Sequence, residues 1–292
     1  MLDFSSEQRK TIKKYQEAEI TAYHLYAFLA GLTKDVDNHR LLMEIANDEM
    51  RHYNIWKQYT KQDVTPRRIQ LAFFKLLGLI FGFTFSLKLM ERGEDSGLII
   101  YKKLGSRIPE IGTIMDDEEK HEDYLISLLN EERLQYVGAM ILGLNDALVE
   151  LTGTIAGLTF AMNNNRVVAL SAIITGIAAT LSMAASNYLA EKADGHKNPL
   201  KSSFFTGGTY LLAVVLLVLP YLLFPAHMYI PAFATMLLIV LILIAVFNFY
   251  ISVTRDQPFY KAFVQMAAIS FSVMTISYLI GLIAKLFLSI SI

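Results

Sequence analysis

The chain has 292 residues, of which 54% are hydrophobic and 18% charged, with a formal net charge of −1 and no cysteine. That balance gives no electrostatic reason to expect a nucleic-acid partner, and the missing cysteines exclude disulfides, thiolate catalysis, iron–sulfur clusters and cysteine zinc sites. The charges are unevenly placed: residues 1–134 hold 19 of the 26 Lys/Arg and 22 of the 27 Asp/Glu. A soluble domain carries about 25% charge, so the second half, with seven basic and five acidic side chains in 158 residues, is read as membrane-embedded.

The segment Met1–Lys14 is polar and lacks the apolar stretch of a secretory signal, which places the N-terminal half in the cytoplasm. Four helices are predicted there, over about 6–31, 36–61, 67–104 and 109–132, with short loops that suit an antiparallel four-helix bundle. The first helix supplies Glu19, three residues before Ala22 and seven before Tyr26. The second carries Glu49-Met50-Arg51-His52, a Glu-x-x-His. The third supplies Glu91 and Glu94, and the fourth carries the second Glu-x-x-His, Glu118-Glu119-Lys120-His121. Residues three apart share a helix face, so each pair can offer a carboxylate and an imidazole to a metal in the bundle core. One Glu from each of two helices plus two Glu-x-x-His segments is a di-metal carboxylate set. Four carboxylates and two neutral histidines balance two divalent ions; oxygen and imidazole suit iron or manganese without choosing between them. Glu17, Glu44, Glu119 and Glu122 are assigned to solvent or to supporting roles, and His24 and His39 to none.

Within the third predicted helix, Leu71–Met90 is a 20-residue apolar stretch broken by Lys75 and Lys88 and preceded by Arg67 and Arg68. As a sixth span it would put the metal ligands on opposite sides of the membrane. A helix lying along the inner membrane surface keeps them together and is the preferred reading.

Five transmembrane spans follow, over roughly 135–162, 167–190, 204–224, 230–253 and 262–288, each long enough for the ~30 Å hydrocarbon core. Pro199, Pro225, Pro231 and Pro258 fall in or beside the expected loops, and Pro220 kinks the third span. The inner loops would carry Lys192, Lys197, Lys201, Arg255 and Lys261, against Arg166 and Lys285 near outer ends, which sets the N-terminus inside and the C-terminus out. The first span contains Asp146 and Glu150, four residues apart on one face. Ionisable groups inside a membrane cost at least ~2.5–3.5 kcal/mol and mark ion or proton paths. Met183, in Ser182-Met183-Ala184, offers a soft thioether, although a methionine on an apolar helix is more often a packing residue.

Residues 1–134 resemble the rubrerythrin branch of the ferritin-like superfamily through Glu19-x-x-Ala22-x-x-x-Tyr26, Glu49-x-x-His52, Gly93-Glu94 and Glu118-x-x-His121. Residues 135–292 resemble the vacuolar iron transporter family through Asn145-Asp146-Ala147-Leu148-Val149, Ser182-Met183-Ala184 and Tyr188-Leu189. The whole resembles the membrane-bound ferritins, or erythrin–vacuolar iron transporter fusions. The resemblance implies an all-α chain, with a ferritin-like four-helix bundle followed by a five-helix transmembrane domain. It further implies a proton-coupled exporter of Fe2+, and of Mn2+ as a second candidate, in the cell (inner) membrane. This exporter would be a homodimer with a pore between subunits, a di-iron or manganese centre in the soluble half, and Asp146 and Met183 on the ion path. Two departures stand out: Ser186-Asn187 replaces the Gly-Glu usual in the family, and the 191–203 loop is too short for the metal-binding hub of plant members.

The main alternative is a membrane-tethered di-iron oxidase or peroxidase whose spans only anchor it, a reading that leaves Asp146 and Glu150 unexplained. A ferritin-like storage shell is excluded by five spans. Ferroxidase activity of the N-terminal half stays open on the residues alone.

Overall fold

A computed structural model of the chain describes residues 4–90, 92, 108–127 and 136–288. Every regular element among them is helical. The chain divides into two compact units, Met1–Leu134 and Gln135–Ile292.

In the first unit, α1 (Ser6–Ala30) starts at a reciprocal cap: the Ser5 hydroxyl accepts from the Gln8 amide, and the Gln8 side chain accepts from the Ser5 amide. Asp35 caps α2 (Val36–Thr60) by accepting from the Asn38 amide, and Lys61 ends it in a left-handed conformation. The two helices pack along one another over a core of Leu25, Tyr26, Leu29, Leu42 and Ile45, all withdrawn from solvent. A second apolar cluster joins Ile12 and Trp56 to Ile108, Ile111 and Ile114, and so seats α4 (Ile111–Ser127) against α2.

The predicted helix over 67–104 needs correction. The helix α3 (Arg68–Phe81) stops at Gly82, whose φ of 97° is open to glycine and strained for other residues. Residues 83–90 are helical again, and the Ser86 hydroxyl donates to the Phe74 carbonyl at 2.7 Å. In one straight helix those residues would stand about 18 Å apart, so the chain doubles back. The stretch 71–90 therefore does not form a continuous sixth span. Gly78 lets α3 approach α1 closely, since a Cβ there would lie 2.5 Å from Leu29. The opposite face of α3 leaves Ile69, Phe73, Leu76, Leu79 and Ile80 at least half exposed.

The second unit holds five helices long and apolar enough to cross a membrane: span one (Val137–Met162), span two (Asn165–Ala193), span three (Pro199–Leu223), span four (Tyr229–Arg255) and span five (Phe259–Leu288). Spans two and three outrun the predicted 167–190 and 204–224. Pro199 and Pro231 fall in the first turn of their helices, beside the loops, where a missing amide costs nothing. Pro220 sits inside span three as expected. Span one is not a uniform α-helix: Ala147–Leu151 forms a π turn between Val137–Asp146 and Thr152–Met162. The spans meet at small residues. A Cβ on Gly143 would strike the Thr206 carbonyl at 2.2 Å, and one on Gly281 would lie 2.8 Å from the Gly157 carbonyl. At the far turn, the Asn165 amide nitrogen donates to the Pro225 carbonyl at 2.7 Å and joins two connections.

Trp56 is the chain's single tryptophan and lies in the first unit. Gly82→Ala is expected to destabilise that unit by about 1–3 kcal/mol, because the side chain forces a strained backbone. Thermal unfolding of the full chain followed by Trp56 fluorescence would then shift downward. An unchanged midpoint contradicts the reading of Gly82 as an obligatory bend.

Candidate functional site

Three helices of the first unit bring five of the expected ligands together. Glu19 comes from α1, Glu49 and His52 from α2, Glu118 and His121 from α4. Ligand atoms of Glu19, Glu49, His52 and Glu118 all lie within 4.8 Å of one another. The fifth residue adjoins them, with His121 Nδ1 3.4 Å from Glu49 Oε1 and 3.5 Å from Glu118 Oε2. Glu118 lies between the two imidazoles, because its other oxygen is 3.4 Å from His52 Nδ1. Glu91 and Glu94 lie outside the described residues.

The surroundings orient these groups. The Trp56 indole N–H donates to Glu19 Oε1 at 2.9 Å. His52 Nε2 is 3.2 Å from Asp117 Oδ2, and His121 Nε2 is 3.3 Å from Asp48 Oδ2, so each histidine is held by the aspartate of the other's helix. Arg51 joins the two aspartates, donating to Asp48 at 2.6 Å and Asp117 at 2.7 Å. With each Nε2 engaged outward, both Nδ1 atoms face the carboxylates, buried and without a hydrogen-bond partner. Two orphaned imidazole nitrogens aimed at three carboxylates are a donor set that fits divalent iron or manganese, with the aspartates fixing the tautomer.

Proton affinities follow the crowding. Burial disfavours a charged His52, but Glu118 and Glu19 beside it prevail and push its pKa up to about 10. His121 shifts the same way: burial opposes the shift and Glu118 and Asp48 drive it. Glu118, although half-buried, is held well below the usual carboxylate range by His121 and His52. Asp117 is lowered by His52, Lys120 and Arg51 against the effect of its burial.

Sequence reading overlooked Asp48, Asp117 and Arg51. The signal was present, since an aspartate directly precedes both Glu-x-x-His segments. Glu17 instead lies 3.8 Å from Arg67, and Glu44 and Glu119 are exposed. His39 Nδ1 contacts the Ala30 carbonyl at 2.9 Å, and the His24 ring packs edge-on to Tyr23. None of these five joins the cluster.

In the second unit, Asp146 ends the first α segment of span one and Glu150 lies in the π turn that follows. Such turns recur at functional sites because they re-aim side chains. The Tyr210 hydroxyl of span three donates to Glu150 Oε2 at 3.2 Å, a partner that spacing could not foretell. Met183 packs against the apolar core of the spans.

Residues 137–196, which take in spans one and two and the turn after them, match the VIT family, the vacuolar iron transporters. No curated protein and no solved structure matches the chain. The likeness of residues 1–134 to rubrerythrins rests on the residues alone.

Two outcomes are expected of the cluster. Below about pH 10 His52 carries a proton when no metal is bound, so metal binding must release protons and tighten as pH rises. Titrating the full chain with Mn2+ in weak buffer would register the release; proton-neutral, pH-independent binding contradicts it. Asp117→Asn or Asp48→Asn should weaken that binding roughly 10–100-fold, because the imidazole loses its orienting partner. Affinity equal to wild type would remove the aspartates from the site.

Proposed function

We propose that the chain exports Fe2+, and Mn2+ as a second cargo, from the cytoplasm in exchange for protons, and that the cluster in the first unit captures the metal. A VIT family domain implies transport of metal ions across a membrane, and five apolar helices provide a multi-pass membrane protein. The finer reading is carried by one observation: Asp146 and Glu150 flank or occupy a π turn within a span, one of them held by Tyr210. Two carboxylates within a helix that crosses hydrocarbon are hard to reconcile with an inert anchor. Exchange follows from their chemistry, since a carboxylate that accepts a divalent ion gives up any proton it held and regains one when the ion leaves.

Three further features support the assignment. Lys192, Lys197, Lys201, Arg255 and Lys261 all lie at the ends of spans that share a side with the start of span one, which favours that side as cytoplasmic. Glu150 is exposed on the single chain, and Thr175, Ala178, Ser182 and Ala185 line an exposed, small-residue face of span two. A second copy packed there would cover both, which favours a homodimer with the ion path near its axis. The bare apolar face of α3, beside exposed Arg68, suits the inner membrane surface.

In vesicles containing the full chain, Asp146→Ala is expected to lower Fe2+ and Mn2+ flux by at least about tenfold, while about two metal ions stay bound at the soluble cluster. Undiminished flux would overturn the path. Oxygen consumption by a protein that moves no metal would favour the tethered oxidase.

A further inference from the structure

The two imidazoles of the first unit are buried, yet both connect to one side chain that reaches solvent. Arg51 precedes His52 on α2, and its side chain is 48% exposed. Its Nη2 donates to Asp48 Oδ1 at 2.6 Å on its own helix and to Asp117 Oδ2 at 2.7 Å on α4. Those aspartates in turn hold the outer nitrogens of His121 and His52. Two routes therefore start at one guanidinium, through Asp117 to His52 and through Asp48 to His121. Each ends at an Nδ1 atom that has no hydrogen-bond partner and faces the carboxylates of Glu19, Glu49 and Glu118.

Arg51 is not needed to place the aspartates. Asp117 keeps Lys120, which donates to its other oxygen at 3.2 Å, and at 8% exposure it is also confined by packing. Asp48 keeps His121 at 3.3 Å. What Arg51 adds is charge. A guanidinium stays protonated across the usable pH range and has no acceptor atom, so it is never a ligand.

A fixed positive charge at the head of both routes opposes a divalent ion in two ways. It repels the ion directly, through packed protein where a charge acts further than in water. It also draws on each aspartate, which then accepts less strongly from the imidazole N–H and leaves the imidazole a poorer donor to metal. Half exposure moderates both effects, because water and salt screen the charge. Without metal the balance reverses: the same charge offsets carboxylates crowded by the helices, and the ion pairs tie α2 to α4. Removing it should weaken the fold and tighten the metal. Those two effects have opposite signs.

We propose that Arg51 sets the metal affinity of the whole cluster, holding it weak enough to release what it captures. The need for release rests on the transport reading; the effect on affinity does not. Trp56 supplies the readout. It is the only tryptophan, it is fully buried, and its indole N–H donates to Glu19, so Mn2+ in the cluster would quench its emission.

With the full chain in detergent at low salt, Arg51→Gln is expected to lower half-saturating Mn2+ roughly three- to tenfold. It should also lower the unfolding midpoint of the metal-free chain, and excess Mn2+ should then raise that midpoint further than in wild type. Arg51→Lys keeps the charge and should leave half-saturation within about twofold of wild type. Should Arg51→Gln fail to fold, Lys120→Gln removes an exposed charge from Asp117 alone and is expected to tighten binding by about twofold. A residue with only a structural role would give lower stability together with weaker binding. Equal or weaker binding in the folded variants would therefore overturn the proposal, as would Trp56 emission that ignores Mn2+ in wild type. A wild-type chain that moves no metal in vesicles defeats the transport reading, while the direction of the Arg51→Gln shift still decides what Arg51 does.

Discussion

An ionised carboxylate taken out of water is costly unless a positive charge or several hydrogen bonds replace its hydration. Both units of this chain withdraw carboxylates from bulk solvent. In the first, Glu19, Glu49 and Glu118 are gathered by three helices around two imidazoles. The carboxylates raise the proton affinity of both His52 and His121, and the depressed Glu118 reports the same attraction from the other side. A divalent ion is the natural substitute for a proton there. In the second unit, Asp146 and Glu150 sit where the medium is lipid, with a tyrosine hydroxyl and a locally widened helix as the described support.

The supporting architecture differs between the units. The cluster of the first unit is over-determined, with each histidine pinned by an aspartate and both aspartates tied to Arg51. Such a site suits capture, because its geometry is set before the ion arrives. For the span-one acids the described hydrogen bond is the one from Tyr210 to Glu150, and a site proposed for transport must release what it binds. The close approaches of Gly143 to Thr206 and of Gly281 to Gly157 bring the spans together.

Much of this was legible in the residues. The charge partition falls at the division between the two compact units, and the doubled Glu-x-x-His spacing picked out four side chains that the fold brings together with Glu19, because a fixed spacing on a helix becomes a fixed face. What escaped depended on long-range packing. The crossed pairing of Asp48 with His121 and Asp117 with His52 requires two helices in register, although the repeated Asp-Glu opening hinted at it. Tyr210 lies 60 residues from Glu150, and nothing local links them. The bend at Gly82 was hidden because its neighbours are apolar on both sides, so hydropathy alone ran through it. Span two was cut short at Ala190 because Glu191 and Lys192 look like a boundary, yet a helix continues into the polar layer where such side chains are at home.

In the proposed exchange, metal and protons move in opposite directions across the five-helix unit. The most direct measurement records Mn2+ flux and internal pH together in sealed vesicles containing the full chain, under an imposed pH gradient and with its reversal. The account predicts that metal entering the vesicles is matched by alkalinisation of their interior, and that reversing the gradient reverses the direction of net metal movement. Metal flux indifferent to the gradient would contradict the exchange, and a tight bilayer with no metal flux in either direction would contradict the account as a whole.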